Sequence, residues 1–261
     1  MRPPLDSARL SELGIEVVPA TGSTNADVSE LARGGAPEWT VVVTEHQTAG
    51  RGRLDRTWET PDRAALTFST LLRPSPAGSE WPWLPLLAGV AVVGALQEAG
   101  VPATLKWPND VLIGGRKTAG ILAERLETPA GAAAVVGIGV NVHQEQDELP
   151  VPTATSVALA TGSAPDRTDL LLGILARLRH QYDAWSAGGG AAVRAAFLDL
   201  CETVGQKVRV ALPGGDELVG PATDVDEAGR LVISRRSQGD LLNPSVAKVA
   251  AGDVVHVRPT E

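Results

Sequence analysis

The sequence predicts an α+β fold in two parts, a large domain over residues 1–202 and a small β-barrel over residues 203–261. Three observations predict it. Val- and Ile-bearing runs bounded by Gly, Pro and Asn interleave with longer helical runs through most of the chain. One run, 132–142, is almost wholly apolar and so reads as a central strand. After Cys201 the texture changes: short strands at 207–211, 217–224, 230–235 and 254–258 are joined by Gly and Asp turns, a length and pattern that suit an SH3-like barrel.

In chain order, residues 1–13 read as a short arm and 15–18 as a strand. An amphipathic helix follows to Arg33, stopped by Gly34-Gly35; Thr24 with Asp27 three residues on has the form of a capping box. Residues 39–45 are a Val-rich strand, 46–60 a polar loop bearing Gly and Arg, and 65–72 another strand. Residues 84–99 form a buried helix. The strand 103–106 stops at Trp107-Pro108, because Pro has no N–H to donate and holds its neighbour extended. Segments 111–113 and 117–124 flank Gly114-Gly115 as a hairpin with a two-residue turn. Helices at 168–185 and 191–200 are separated by Gly188-Gly189-Gly190.

Of the 261 residues 43% are apolar and 21% charged, which is the composition of a soluble chain with a real core. The formal net charge of −8 argues against a general nucleic-acid binder, which needs surplus cations to displace counterions from phosphates. Yet Arg51, Arg53, Arg56 and Arg63 fall close together beside few acids, a local basicity that suits a small anionic ligand. Cys201 is the only cysteine, so an internal disulfide and a Cys-rich metal site are excluded; at the end of an apolar helical run it reads as core. No basic-then-apolar leader follows Met1. The longest apolar stretch, 83–96, holds Pro85, Gly89 and Gly94 and is too short to span a bilayer, so a cytoplasmic protein is expected.

Four segments carry candidate chemistry. Gly22-Ser23-Thr24-Asn25 opens a helix; a Ser or Thr there commonly serves only as a cap, but three hydrogen-bonding side chains beside free N–H groups could also ring a polar ligand head. Gln47-Thr48-Ala49-Gly50-Arg51-Gly52-Arg53, running on to Arg56 and Trp58, joins glycines that allow close backbone approach to guanidinium forks matched to phosphate and carboxylate. No Gly-Lys-Ser/Thr follows, so this is not a Walker A loop. Trp58 reads either as a cover for a planar ring such as adenine or as core. Lys106-Trp107-Pro108-Asn109-Asp110 and Lys117-Thr118-Ala119-Gly120 place two lysines in one hairpin region, the second beside small residues that leave room for a ligand. Finally, Gly137 and Gly139 alternate within the most apolar strand and mark a place where something packs on bare backbone, while Asn141 needs partners for its amide.

The segments GSTN, QTAGRGRLDRTW, KWPND, RKTAGIL and GIGVN, in this order, resemble the signature set of bacterial biotin–protein ligases. The resemblance covers roughly residues 20 to 142, and the tail resembles that family's C-terminal barrel. It implies a mixed sheet backed by helices, the fold shared with class II aminoacyl-tRNA synthetases. By the same resemblance, Ser23, Thr24, Asn25 and Gln47 hold the biotin ureido ring, and Gly137 and Gly139, with Gly120, line the biotin pocket. Gly50, Arg51, Gly52 and Arg53 fold over the ligand and its phosphate. Lys117 meets the biotin carboxylate and the α-phosphate, Trp58 packs on adenine, and Arg56, Asn109 and Asn141 lie near the nucleotide. Lys106 and Asp110 belong to the phosphate neighbourhood, with Asp110 the candidate Mg²⁺ ligand.

The implied activity is ATP-dependent: biotin becomes biotinyl-5′-AMP and is then transferred to a lysine of the biotin carboxyl carrier domain of an acyl-CoA or pyruvate carboxylase. Members that also repress transcription carry an N-terminal helix-turn-helix domain, and too little chain precedes Gly22 to hold one, so no DNA partner is expected, nor a membrane; the chain is expected as a monomer or weak homodimer. A lipoate–protein ligase and a non-catalytic biotin sensor or adaptor are the alternative readings. The polar set Ser23, Thr24 and Gln47 suits a ureido group better than an apolar dithiolane.

Overall fold

The computed structural model describes residues 2–53, 56–212, 216–235, 245–250 and 253–256. In chain order the elements are α1 (Ser7–Glu12), β1 (Glu16–Val18), α2 (Thr24–Arg33), β2 (Val41–Thr44), β3 (Gln47–Arg51), β4 (Thr57–Thr60), β5 (Ala65–Leu72) and α3 (Trp83–Glu98). Then come β6 (Ala103–Lys106), β7 (Asp110–Ile113), β8 (Arg116–Thr128), β9 (Gly131–Asn141), α4 (Val157–Thr161) and α5 (Arg167–Leu200). The chain continues with β10 (Lys207–Ala211), β11 (Glu217–Val225), β12 (Leu231–Arg235), β13 (Ser245–Val249) and β14 (Asp253–His256).

Seven strands form one mixed sheet in the order β1-β2-β5-β9-β8-β7-β6, parallel only between β1 and β2. Side chains alternate across it with the period of two that a pleat imposes. On one face Val41, Val43, Leu66, Phe68, Val136 and Ile138 join the core beneath α3, a helix apolar on every side. On the other, Val42, Leu71, Ala133 and Val135 meet Val28 and Ala32 of α2. Every residue of β5 is buried as a result.

The second sheet is antiparallel, in the order β13-β12-β11-β10-β14. It is fastened to the first part by two buried indoles: Trp83 Nε1 donates to Glu227 O (2.6 Å) and Trp107 Nε1 to Gly229 O (3.0 Å). Gly190 must lack a side chain because a Cβ there would overlap the Trp83–Glu227 contact.

Several expectations need correction. Residues 7–12 are helical because the Asp6 carboxylate caps the Arg9 N–H (3.0 Å), and Leu5 and Leu10 are buried. The loop 46–60 contains a hairpin of β3 and β4, its register shifted between Gln47 and Gly50. Ser23 is the N-cap of α2 and makes no side-chain cap bond, so the Thr24–Asp27 capping box does not form. The strand β13 and the short helix α4 were not anticipated. The break expected at Gly188-Gly189-Gly190 is a kink at Gly189, where φ is +64°. Of the expected strand 254–258, residues 257 and 258 lie outside the described residues.

Candidate active site

A cleft of about 270 Å³ opens on the α2 face of the large sheet, between the start of α2, the β3–β4 hairpin, β8, β9 and Val254 and Val255 of β14. Period-two alternation explains its floor: Gly137 and Gly139 of β9 point to this face with Val135, and their register partners on β8 are Leu122 and Gly120.

One end is neutral and closely hydrogen-bonded. Thr24 N donates to Gln47 Oε1 (2.9 Å), and the Thr24 and Ser69 hydroxyls lie 2.7 Å apart. Ser69 Oγ donates to Asn25 Oδ1 (2.6 Å), and Asn25 Nδ2 donates to Glu124 Oε2 (2.6 Å). Ser23 lines the same end. Gln47 is fixed from behind, its N–H donating to Thr60 Oγ1 (3.0 Å). Gly137 lies under Asn25, where a Cβ would overlap Asn25 Oδ1.

The middle is aromatic. The Trp58 ring lies on Gly139, where a Cβ would come within 2.5 Å of it, and beside Gly120, at 3.3 Å. Lys117 Nζ stands 5.8 Å from the ring centroid, within cation–π range. Trp58 Nε1 is buried with no hydrogen-bond partner among the described residues.

The other end is charged. Lys117 Nζ pairs with Asp110 Oδ1 at 2.6 Å, and Arg51 with Glu124 Oε2 at 3.2 Å. Arg53 Nη1 donates to Asn109 Oδ1 (2.9 Å), and Asn109 Nδ2 to Ile121 O (2.9 Å). Arg56, Lys106 and Gly52 also line the cleft. Among the described residues cations outnumber acids here, which favours a polyanionic ligand.

Two predicted site residues stand outside. Gly50 lies in an adjoining groove; its place in the hairpin demands glycine, since a Cβ would overlap Gln47 Nε2 and Trp58 O. Asn141, at the end of β9, is buried and its amide is used: it donates to Thr155 O (3.1 Å) and accepts from Gln144 Nε2 (2.8 Å). Asn141 thus braces nearby chain and does not line the cleft. Glu124 and Ser69 were missed. Counting by twos along β8 from Gly120 would have brought Glu124 to the cleft face, and Ser69 lies opposite Gly137 in register.

Burial pushes the Cys201 thiol upward, which keeps it protonated and agrees with a core residue. Among the described residues no three His, Cys, Asp or Glu cluster as a metal site.

Residues 17–141 match the model of the biotin/lipoate A/B protein ligase family. The chain is 39% identical to biotin–[acetyl-CoA-carboxylase] ligase of Mycobacterium tuberculosis, over 99% of this chain and 98% of that protein. It is 34% identical to the bifunctional ligase/repressor BirA of Bacillus subtilis, over 89% of this chain and 70% of that one. It is also similar to the solved structure of biotin protein ligase from Aquifex aeolicus in complex with biotin and ATP, with a TM-score of 0.77 and 28% identity over 94% of this chain and 99% of that one. The motifs read from the sequence and this likeness along nearly the whole chain agree: the protein belongs to the biotin/lipoate A/B protein ligase family, among the biotin–protein ligases.

Proposed function

We propose that the chain is an ATP-dependent biotin–protein ligase, which makes biotinyl-5′-AMP with release of pyrophosphate and passes the biotin to a lysine of a biotin carboxyl carrier domain. The observation that carries the reading is the polarity of the cleft: a neutral hydrogen-bonding end and a cationic end on one glycine floor.

In this reading Ser23, Thr24 and Gln47 take the ureido group, and the rings of biotin lie beside Gly137 and over Gly139 once the Trp58 ring swings off that floor. Lys117 turns from Asp110 to the biotin carboxylate and the α-phosphate. Attack of a carboxylate on that phosphate brings two anions together. Fixed cations there lower the barrier, and such electrostatic stabilisation is usually the largest catalytic contribution. Arg51, Arg53 and Arg56 supply it from the hairpin, which also keeps water from the mixed anhydride. Asn109 steadies Arg53, and Trp58 covers the adenine.

Magnesium fits a site with few carboxylates, because it retains waters and binds largely through nucleotide phosphates; Asp110 is the residue that would hold it, and it would neutralise phosphate charge. The acceptor lysine must lose a proton before it attacks, and Asp110 is a candidate for the base only where it is not holding the metal. Residues 1–202 form the catalytic part and 203–261 an SH3-like barrel that contributes Val254 and Val255 to the cleft wall. Among the described residues no helix is long and apolar enough to cross a membrane.

The test is direct. The protein is incubated with ATP, Mg²⁺, biotin or lipoate, and an unmodified carrier domain, and the carrier is weighed. A biotin adduct on one lysine is expected. A lipoyl adduct, or none, overturns the reading.

A further inference from the structure

We infer that Glu124, acting through Asn25 and Ser69, is a positioning residue that fixes which way the hydrogen bonds of the ureido end point. The inference rests on the biotin reading.

The argument counts protons. A carboxylate only accepts, so Glu124 Oε2 at 2.6 Å, helped by the much longer 3.4 Å contact to Leu122 O, selects the amide nitrogen of Asn25 and turns Asn25 Oδ1 towards Ser69. Asn25 Oδ1 also only accepts, so the single proton of the Ser69 hydroxyl is committed to it at 2.6 Å. Ser69 must then accept across the 2.7 Å separation from Thr24, whose one proton is thereby committed too. The Thr24 hydroxyl stands 3.2 Å from Gln47 Oε1 as well, but it has no second proton to give; that oxygen is satisfied by the Thr24 N–H at 2.9 Å. The direction set at Glu124 is thus handed along three side chains. Thr24 is left with a lone pair to accept a ligand N–H, and Gln47 with its amide nitrogen to donate.

That is the complement of a ureido group, which offers N–H donors beside one carbonyl acceptor. Without the carboxylate, only the long 3.4 Å contact to Leu122 O opposes a flip of the Asn25 amide; a flip lets Ser69 and Thr24 reverse, and a hydroxyl proton then meets the ligand N–H. The chain is buried, with Ser69 at 0% and Thr24 at 2% exposure, so solvent does not repair a wrong orientation. Glu124 also accepts from Arg51 of the hairpin, which puts the same carboxylate in contact with both ends of the cleft.

The test is a double-mutant cycle read by biotin affinity without nucleotide, using Glu124→Ala, Ser69→Ala and both together. Each single substitution is expected to weaken biotin roughly tenfold, about 1.4 kcal/mol. The double is expected to be no worse than the weaker single, since either break severs one chain. Ser69→Ala, which touches no hairpin cation, is expected to raise the KM for biotin while the KM for ATP and kcat at saturating biotin stay within about twofold. Wild-type affinity in either single variant, multiplied losses in the double, or an equal shift in the KM for ATP overturns the inference. If the wild-type chain itself binds no biotin, the proposed function fails instead.

Discussion

At the α2 end of the cleft Thr24, Asn25, Gln47 and Ser69 are 7% exposed or less, and their polar atoms are engaged with one another. At the hairpin end the Arg51 and Lys117 side chains keep 52% and 35% of their exposure, and each is paired to a carboxylate. Half-exposed ion pairs of this kind are worth at most about 1 kcal/mol, so their cations can exchange partners at little cost. Buried hydrogen-bonded groups cannot, because each unsatisfied atom costs roughly 1–3 kcal/mol. The difference teaches that the α2 end is fixed in advance and the hairpin end is free to re-pair, which in the proposed reading selects one ligand shape at the first and receives phosphates at the second.

Four experiments break or sharpen this contrast. The largest effect is expected for Lys117→Ala. Pyrophosphate release should fall by about 10²–10³, the usual loss for one electrostatic donor, while affinity for biotin methyl ester, which lacks the carboxylate, should be little changed. Next is Gly139→Val: a side chain that already meets the Trp58 ring at its Cβ should drive the ring from the floor and weaken biotin by more than about tenfold in calorimetry. The fold should survive, since the ring is displaced towards the open cleft.

Arg53→Gly should spare the neutral end. Pyrophosphate release should persist, while escaping adenylate labels bystander lysines several-fold more than wild type, read by streptavidin blot on an added inert protein.

The smallest effect concerns stability. Burial, with Lys106 beside it, holds His256 below the ordinary imidazole range, and burial with Arg167 and Arg2 does the same to His143. The unfolded chain binds these protons more readily, so the contribution is complete above about pH 6.5 and is lost as pH falls through the depressed folded values. The melting temperature should drop by a few degrees between neutrality and mild acid, and the drop should shrink in a His143→Gln, His256→Gln variant.

Much of this was legible before the coordinates. Long periodic elements such as α3 and β9 declare themselves, and the motif segments fix most of the cleft lining. The hairpin 47–60 did not, because Gly50, Gly52 and the arginines hide strand propensity behind ligand-suited composition. In β5, the sequence ALTFSTLL alternates as if one face met water; α2 covers that face, so Thr67 and Ser69 are interior. Glu124 reads as an ordinary charged position in a half-exposed strand; its parity with Gly120 puts it on the cleft face, but its contact with Asn25 comes only from the tertiary fold. Asn141, a polar residue in an apolar strand, finds partners for its amide in Thr155 and Gln144, which sequence spacing does not show.

The two tryptophans that grip the turn at 227–229 have a bearing on how the chain can be divided. Composition changes near residue 203, yet Trp107 sits in the same five-residue motif as Asn109 and Asp110, and its indole needs Gly229 as acceptor. A chain cut at 203 would leave two interior N–H groups stranded, one of them in the segment 106–110 that lines the cleft. Any exchange of tails between relatives must therefore carry a matching turn, or the segment holding Asp110 loses its anchorage.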